Sequence, residues 1–270
     1  MDKPTFTNKS EEIKWIVENK EFLISQKKAT NKHSDIIEFS PELTSKHSAN
    51  KAESTDMLDP RLSVKAVINT TGLIDSHMDC HIEGIWTKSL KEQSYLLWLQ
   101  EHECEFEYII ADSRNDELKA TAKMMSWKDL GFNFEGNTQA LIFDAKLNKE
   151  RNEFMYKQYA NGWVLQHSVG MRYVKLYLCV DSSEPEYTQE KEAWDKYYPM
   201  VVNKEVADQK GYFWAVTEAK IIEGSAVVKG SNYATPTLSV STKNNEAVND
   251  TSKQEPSSDT QKSKSTHLLI

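Results

Sequence analysis

The stretch 164–180, VLQHSVGMRYVKLYLCV, decides how the rest of the chain reads. Val, Tyr and Leu dominate it, and apolar or aromatic side chains recur at alternate positions, the pattern of a β-strand. Inside it stand His167 and Ser168, with Gly170 close behind. Neighbouring residues of a strand point to opposite faces, so this imidazole and this hydroxyl cannot serve one site from a regular strand. If Ser168 is a nucleophile, its base comes from elsewhere, because a serine hydroxyl is inert at neutral pH until a positioned imidazole takes its proton.

Working outward, ERNEFMYKQYANG predicts a helix closed by Gly162. SEPEYTQEKEAWDKYYPMVVNKEVAD predicts helix broken near Pro199, and YFWAVTEAKIIEGSAVVKGSN a final strand kinked near Gly224. Upstream, SVKAVINTTGLID reads as strand and turn. SLKEQSYLLWLQEH reads as a helix with Leu90, Leu97 and Trp98 on its buried stripe and His102 at its end. FEYIIADSRNDELKATAKMM reads as a hairpin turning at Asn115 and Asp116. Strands with inserted helices and no regular βαβ alternation predict an α+β fold with a β-barrel-like core flanked by helices. The predicted folded domain is 61–236. Residues 1–60 read as a short helix, opened by Ser10 with Ile13, Ile16 and Val17 on one stripe, followed by a flexible arm. Residues 237–270 are rich in Ser, Thr, Lys, Asn and Asp and read as a disordered polar tail.

The balance of charge is −8, the pI about 5.5 and the mean hydropathy −0.65. An acidic chain without a basic block disfavours a nucleic-acid partner. No apolar run is long enough to span a bilayer, and the charged start MDKPTFTNKSEEIKW does not read as a secretory signal. Three scattered cysteines, Cys80, Cys104 and Cys179, argue against a disulfide framework and fit a reducing compartment.

Of the seven histidines, His33, His47 and His267 fall in the arms, which leaves His77, His81, His102 and His167. A helix C-terminus favours a protonated ring, so His102 suits an imidazole that must accept a proton. Its bland alternative is a solvated capping histidine, as Ser168's is an ordinary strand serine. Two acids of the last strand, Glu218 and Glu223, could orient the ring. Five residues apart, they face opposite sides of an unbroken strand, so one of them serves unless a bulge intervenes. A separate cluster, DSHMDCH, places Asp75, His77, Asp79 and His81 at every second position. On a strand they would share one face and could ligate Zn²⁺ or Mn²⁺; otherwise they form a polar strand edge.

The order of these segments resembles the prohead maturation serine proteases of tailed bacteriophages, which are akin to the herpesvirus assemblins. The resemblance runs from Val64 to Pro236. An Asp-rich strand leads to a Gly and a KSL helix start in DSHMDCHIEGIWTKSL. A helix ending in the catalytic His follows in LLWLQEHECEFEYII, with His102. The strand HSVGMRYVKL supplies the nucleophile, Ser168. TEAKIIEGSAVVKGSNYATP supplies an E-x-S strand before an Asn-containing loop. His77 and His81, the Ile85-Trp86 pair after Gly84, and the helical stretch Glu186–Asp208 depart from the family pattern. The resemblance implies an assemblin-type fold and a Ser168–His102–Glu223 triad, with Glu218 as the alternative acid. Gly170 and Arg172 are implied as oxyanion support. It also implies an endopeptidase that needs no cofactor and cleaves capsid and scaffold proteins and itself. Such an enzyme works as a homodimer inside the immature capsid, in the host cytoplasm. The competing expectations are a metal-dependent hydrolase built on the Asp75–His81 cluster and a non-catalytic capsid assembly protein.

Overall fold

A computed structural model describes residues 4–29, 61–92 and 95–241. Residues 30–60 and 242–270, which hold most of the expected flexible arm and tail, and the histidines His33, His47 and His267 lie outside the described residues. The fold is α+β. Its hub is β8 (Tyr212–Val227), which pairs antiparallel with β7 (Gln166–Val180) along one edge. The other edge of β8 takes two short parallel strands, β2 (Asp79–His81) and β3 (Leu97–Gln100). Beyond β3 lies β4 (Ile109–Asp112), antiparallel to it. A second sheet runs in the order β5 (Lys119–Ser126), β6 (Asn137–Leu147), β1 (Leu62–Thr70), β9 (Thr237–Ser241). Neither sheet closes on itself among the described residues.

The alternation in β1 explains how the sheets meet. Leu62, Val64, Ala66 and Ile68 enter the main core with Leu141 and Phe143 of β6. Val169, Met171 and Tyr173 of β7 and Trp214, Val216 and Ile221 of β8 meet them from the other sheet. Trp98 sits fully buried at the centre, edge-on to Phe143, Tyr159 and His167 at ring distances of 5.9, 5.7 and 5.9 Å. Such aromatic contacts add roughly 0.5–1.5 kcal/mol each beyond the area they bury. β8 runs unbroken through Gly224, contrary to the predicted kink. The glycine answers crowding instead: a Cβ there would lie 2.7 Å from Phe143.

The helices cover the sheets. α1 (Lys9–Glu18) and α2 (Lys20–Ala29) are separated by Asn19 alone, and Ile13 and Ile16 of α1 enter the main core. Asn8 caps α1, its side chain accepting from the Glu11 amide at 3.0 Å, two residues before the predicted Ser10. α3 (Thr87–Glu92) is short. α4 (Glu153–Ala160) ends before Gly162, as predicted. α5 (Thr188–Tyr197) and α6 (Lys204–Lys210) flank Pro199 and lay Trp194 and Tyr197 on Phe213, Ala215 and Cys179. Among the described residues no helix is long and apolar enough to cross a membrane.

Three predicted elements differ. Leu97–Gln100 is a strand, not the end of a helix, because the run LLWL is paired on both edges, by β8 and β4. A short apolar run buried that way has no period to separate it from a helix. The predicted hairpin is two strands of different sheets: β4 pairs β3, whereas β5 pairs β6. The turn between them is where the sequence puts it, organised by Asp112, whose carboxylate accepts from the Arg114 and Asn115 amides at 2.7 and 2.8 Å. Thr237–Ser241, assigned to the tail, forms β9 against β1, so the folded part runs five residues past the expected boundary.

Candidate active site

His102 is delivered by a tight turn at the end of β3. Glu103 N–H donates to the Gln100 carbonyl at 3.0 Å, and both central residues, Glu101 (φ 50°) and His102 (φ 63°), are left-handed. That is the backbone of a type I′ turn, which Asn and Gly favour. For Glu and His it is strained by about 1–3 kcal/mol per residue, so surrounding contacts must impose it. Three do. The Glu101 amide donates to the Ala226 carbonyl at 2.9 Å. The Glu101 carboxylate accepts from the Val228 amide at 2.9 Å. The His102 amide donates to Ser225 Oγ at 3.2 Å. The ring is therefore fixed by strand ends, not by a helix terminus as predicted.

The His102 Nδ1–H donates to Glu223 Oε1 at 2.7 Å, and Ser225 Oγ donates to Glu223 Oε2 at 2.6 Å. Both carboxylate oxygens are engaged, and the acid is buried. A ring that donates through Nδ1 keeps Nε2 as its basic nitrogen, the tautomer a general base requires. Glu223 lies across β7 at Gly170, its partner in register. A Cβ on Gly170 would sit 2.7 Å from Glu223 Cδ and closer still to Oε1. The space predicted for an oxyanion at Gly170 is thus filled by a carboxylate. The missing side chain serves the acid, and an oxyanion there would be repelled.

Ser168 is the cross-strand partner of Ser225 and shares its face of the sheet. The residue is 7 % exposed, and its hydroxyl makes no hydrogen bond among the described residues. Ser168, Gly170, Glu223 and Ser225 thus form one patch, with His102 clamped over its acid end. His167 faces the other way. Tyr159 Oη donates to its Nε2 at 2.9 Å, and its Nδ1–H donates to the Thr235 carbonyl at 3.0 Å. Burial pushes this ring down from 6.5 to about 4, against the Thr235 carbonyl, which favours the charged form. Between those values the unfolded chain holds a proton that the folded chain refuses. This contribution is complete above pH 6.5 and is lost as the pH falls towards 4, by about 3 kcal/mol. Urea midpoints from pH 7.5 to 4 should fall less steeply in His167→Gln than in the parent; parallel curves would remove this cause.

The other candidates lie apart. A register shift between Gly170 and Met171, with Ile222 unpaired on β8, breaks the alternation that would have set Glu218 and Glu223 on opposite faces. Glu218 is nevertheless occupied, bound to Lys175 at 2.7 Å and Lys88 at 3.6 Å. Arg172 is exposed, four residues past Ser168 on the same face, and forms no ion pair among the described residues.

The Asp75–His81 cluster is not a strand face. Only Asp79–His81 is extended, and Asp75 is a turn acid that accepts from the His77 and Asp79 amides at 2.8 and 2.9 Å. His81 has both ring nitrogens in hydrogen bonds, with Asn69 at 3.0 Å and Tyr173 at 3.1 Å. Tyr173 donates to Asp79 at 2.8 Å, and Lys27 of α2 pairs with the same carboxylate. Among the described residues no group of three or more His, Cys, Asp or Glu could hold a metal ion. The sequence reading missed Ser225 and Glu101. Ser225 shares strand parity with Glu223, which was the available signal; nothing in the sequence marks Glu101. Compared with protein-family models, curated proteins and solved structures, the chain gives no match.

Proposed function

We propose that the chain is a serine endopeptidase of the prohead-maturation type, with the assemblin-like, barrel-related architecture its segment order implies. The observation that carries this reading is the 2.7 Å bond between His102 and Glu223, laid over Gly170 and beside Ser168. The pair His102–Glu223 and the cross-strand neighbours Ser168–Ser225 and Gly170–Glu223 support the reading.

In the proposed mechanism Ser168 Oγ attacks the peptide carbonyl and passes its proton to His102 Nε2. Glu223 stabilises the imidazolium through Nδ1–H, and Ser225 holds the carboxylate in place. His102 then gives the proton to the leaving amine, and water enters by the same route to release the acyl group from Ser168. Arg172 remains the side chain available to support the oxyanion, since Gly170 is taken by the acid. Substrates are extended segments of scaffold and capsid proteins and of the chain itself, processed by a homodimer within the immature capsid. No nucleic acid, membrane or cofactor takes part.

The test compares the parent with Ser168→Ala by intact mass over time, together with labelling by a fluorophosphonate. Self-trimming and a single label on Ser168 are expected in the parent, and neither in the variant. Equal trimming in both would rule out the serine mechanism. Folded parent and variant that both stay whole, alone and with scaffold protein, would favour an assembly role.

A further inference from the structure

The end of the sheet that carries Ser168 is rimmed by apolar side chains left in solvent. Val228 is 89 % exposed and Leu165 60 %, and they flank the paired residues Gln166 and Val227. Phe106, in the turn after His102, is 94 % exposed, and Phe154 of α4 59 %. Two bonds gather them around the His102 turn. Val228 N–H donates to Glu101 at 2.9 Å, and Asn152, the cap of α4, donates to the Glu107 carbonyl at 3.1 Å. Scattered exposed apolar residues need no explanation, but a set grouped at one strand end marks an interaction surface. Its charge is mainly negative: Lys229, exposed beside Val228, stands against three acids. Glu103, Glu105 and Glu107 are exposed and form no ion pair among the described residues. The surface therefore fits a segment with basic residues followed by bulky apolar ones.

The chain contains such a segment. Beyond Ser241 the sequence is polar until Lys262-Ser263-Lys264-Ser265-Thr266-His267-Leu268-Leu269-Ile270, which holds two lysines and a histidine, no acid, and then three aliphatic residues. The alternative, Lys27–Ile37, carries Asp35 and begins at a lysine already committed to Asp79. The chain from Ser241 to Lys262 can span roughly 70 Å when extended, and a globular body of this size is roughly 45 Å across. We propose that residues 262–270 dock in cis on this rim, Leu268–Ile270 against Phe106, Leu165 and Val228 and the lysines towards Glu103 and Glu105. Only the consequence rests on the proposed function: there, the docked segment competes with peptide substrate for the approach to Ser168.

The experiment uses the full chain carrying Ser168→Ala, so that no hydrolysis is needed, with p-benzoylphenylalanine in place of Leu269. After irradiation at low concentration, cross-linked peptides are mapped by mass spectrometry. Adducts within one chain to 101–108, 163–166 or Val228 are expected. Their yield should fall roughly ten-fold in Glu103→Lys/Glu105→Lys and also at high salt. Adducts spread over other surfaces, adducts only between two chains, or a yield indifferent to the charge reversal would overturn the docking. A protein that trims itself without Ser168 would instead overturn the serine mechanism and leave the docking standing.

Discussion

In the proposed peptidase, Gly170→Ala is expected to lower the rate of peptide hydrolysis by roughly 10⁴-fold, as much as losing the acid of a triad. Neither Ser168 nor His102 is changed. The added methyl would lie 2.7 Å from Glu223 Cδ and 2.9 Å from Cγ. β7 cannot retreat, because Gly170 is held in register with Glu223 itself. The carboxylate must swing away, and its 2.7 Å bond to Nδ1 goes with it. The ring then loses both its preferred tautomer and the charge that stabilises its protonated form. The loss should fall on kcat, with KM nearly constant, since the methyl is covered by the acid and does not face substrate. Steady-state kinetics on a peptide spanning a mapped self-cleavage site would measure it. A Gly170→Ala protein within a few-fold of the parent would show that Glu223 does not act through His102.

Lys27→Met should lower the free energy of unfolding by about 3–5 kcal/mol at neutral pH, the usual effect of removing one partner from a buried ion pair. Asp79 is fully buried, and Lys27 reaches it from α2. Tyr173 donates to the other oxygen at 2.8 Å, but a hydroxyl carries no charge to balance the carboxylate. Adding Asp79→Asn to Lys27→Met should restore most of the loss, because the stranded charge is then gone. Urea denaturation of the two single variants and the double would separate these terms. A Lys27→Met loss below about 1 kcal/mol would mean that Asp79 is solvated or neutral in the folded chain.

The sequence spoke most clearly where chemistry and periodicity agreed. β7 and β8 are long enough for alternation to declare them, and Gly162 and Pro199 mark real helix ends. The pairing of His102 with Glu223 was legible through segment order alone, since nothing local links residues so distant. What stayed hidden was non-local. Whether LLWL is helix or strand depends on β4 and β8 lying at its two edges. Whether Lys119–Ser126 turns back on β4 depends on β6 being there to capture it. The unpaired Ile222, which settles how Glu218 and Glu223 relate, leaves no mark in composition. The Asp75–His81 spacing suggested a shared face only under the assumption of a strand, and a turn at Asp75 removes it.

The grip on β8 from both sides divides the labour within the molecule. The acid and its supporting hydroxyl ride on a spine that local rearrangement cannot shift without dismantling the fold. The side chains of Glu103, Glu105 and Glu107 stand in solvent on the loop after the histidine turn, where replacing them disturbs no strand pairing. In the proposed peptidase, selection is therefore free to retune which segments are accepted, residue by residue on that short loop, while the residues proposed to break the bond stay as they are.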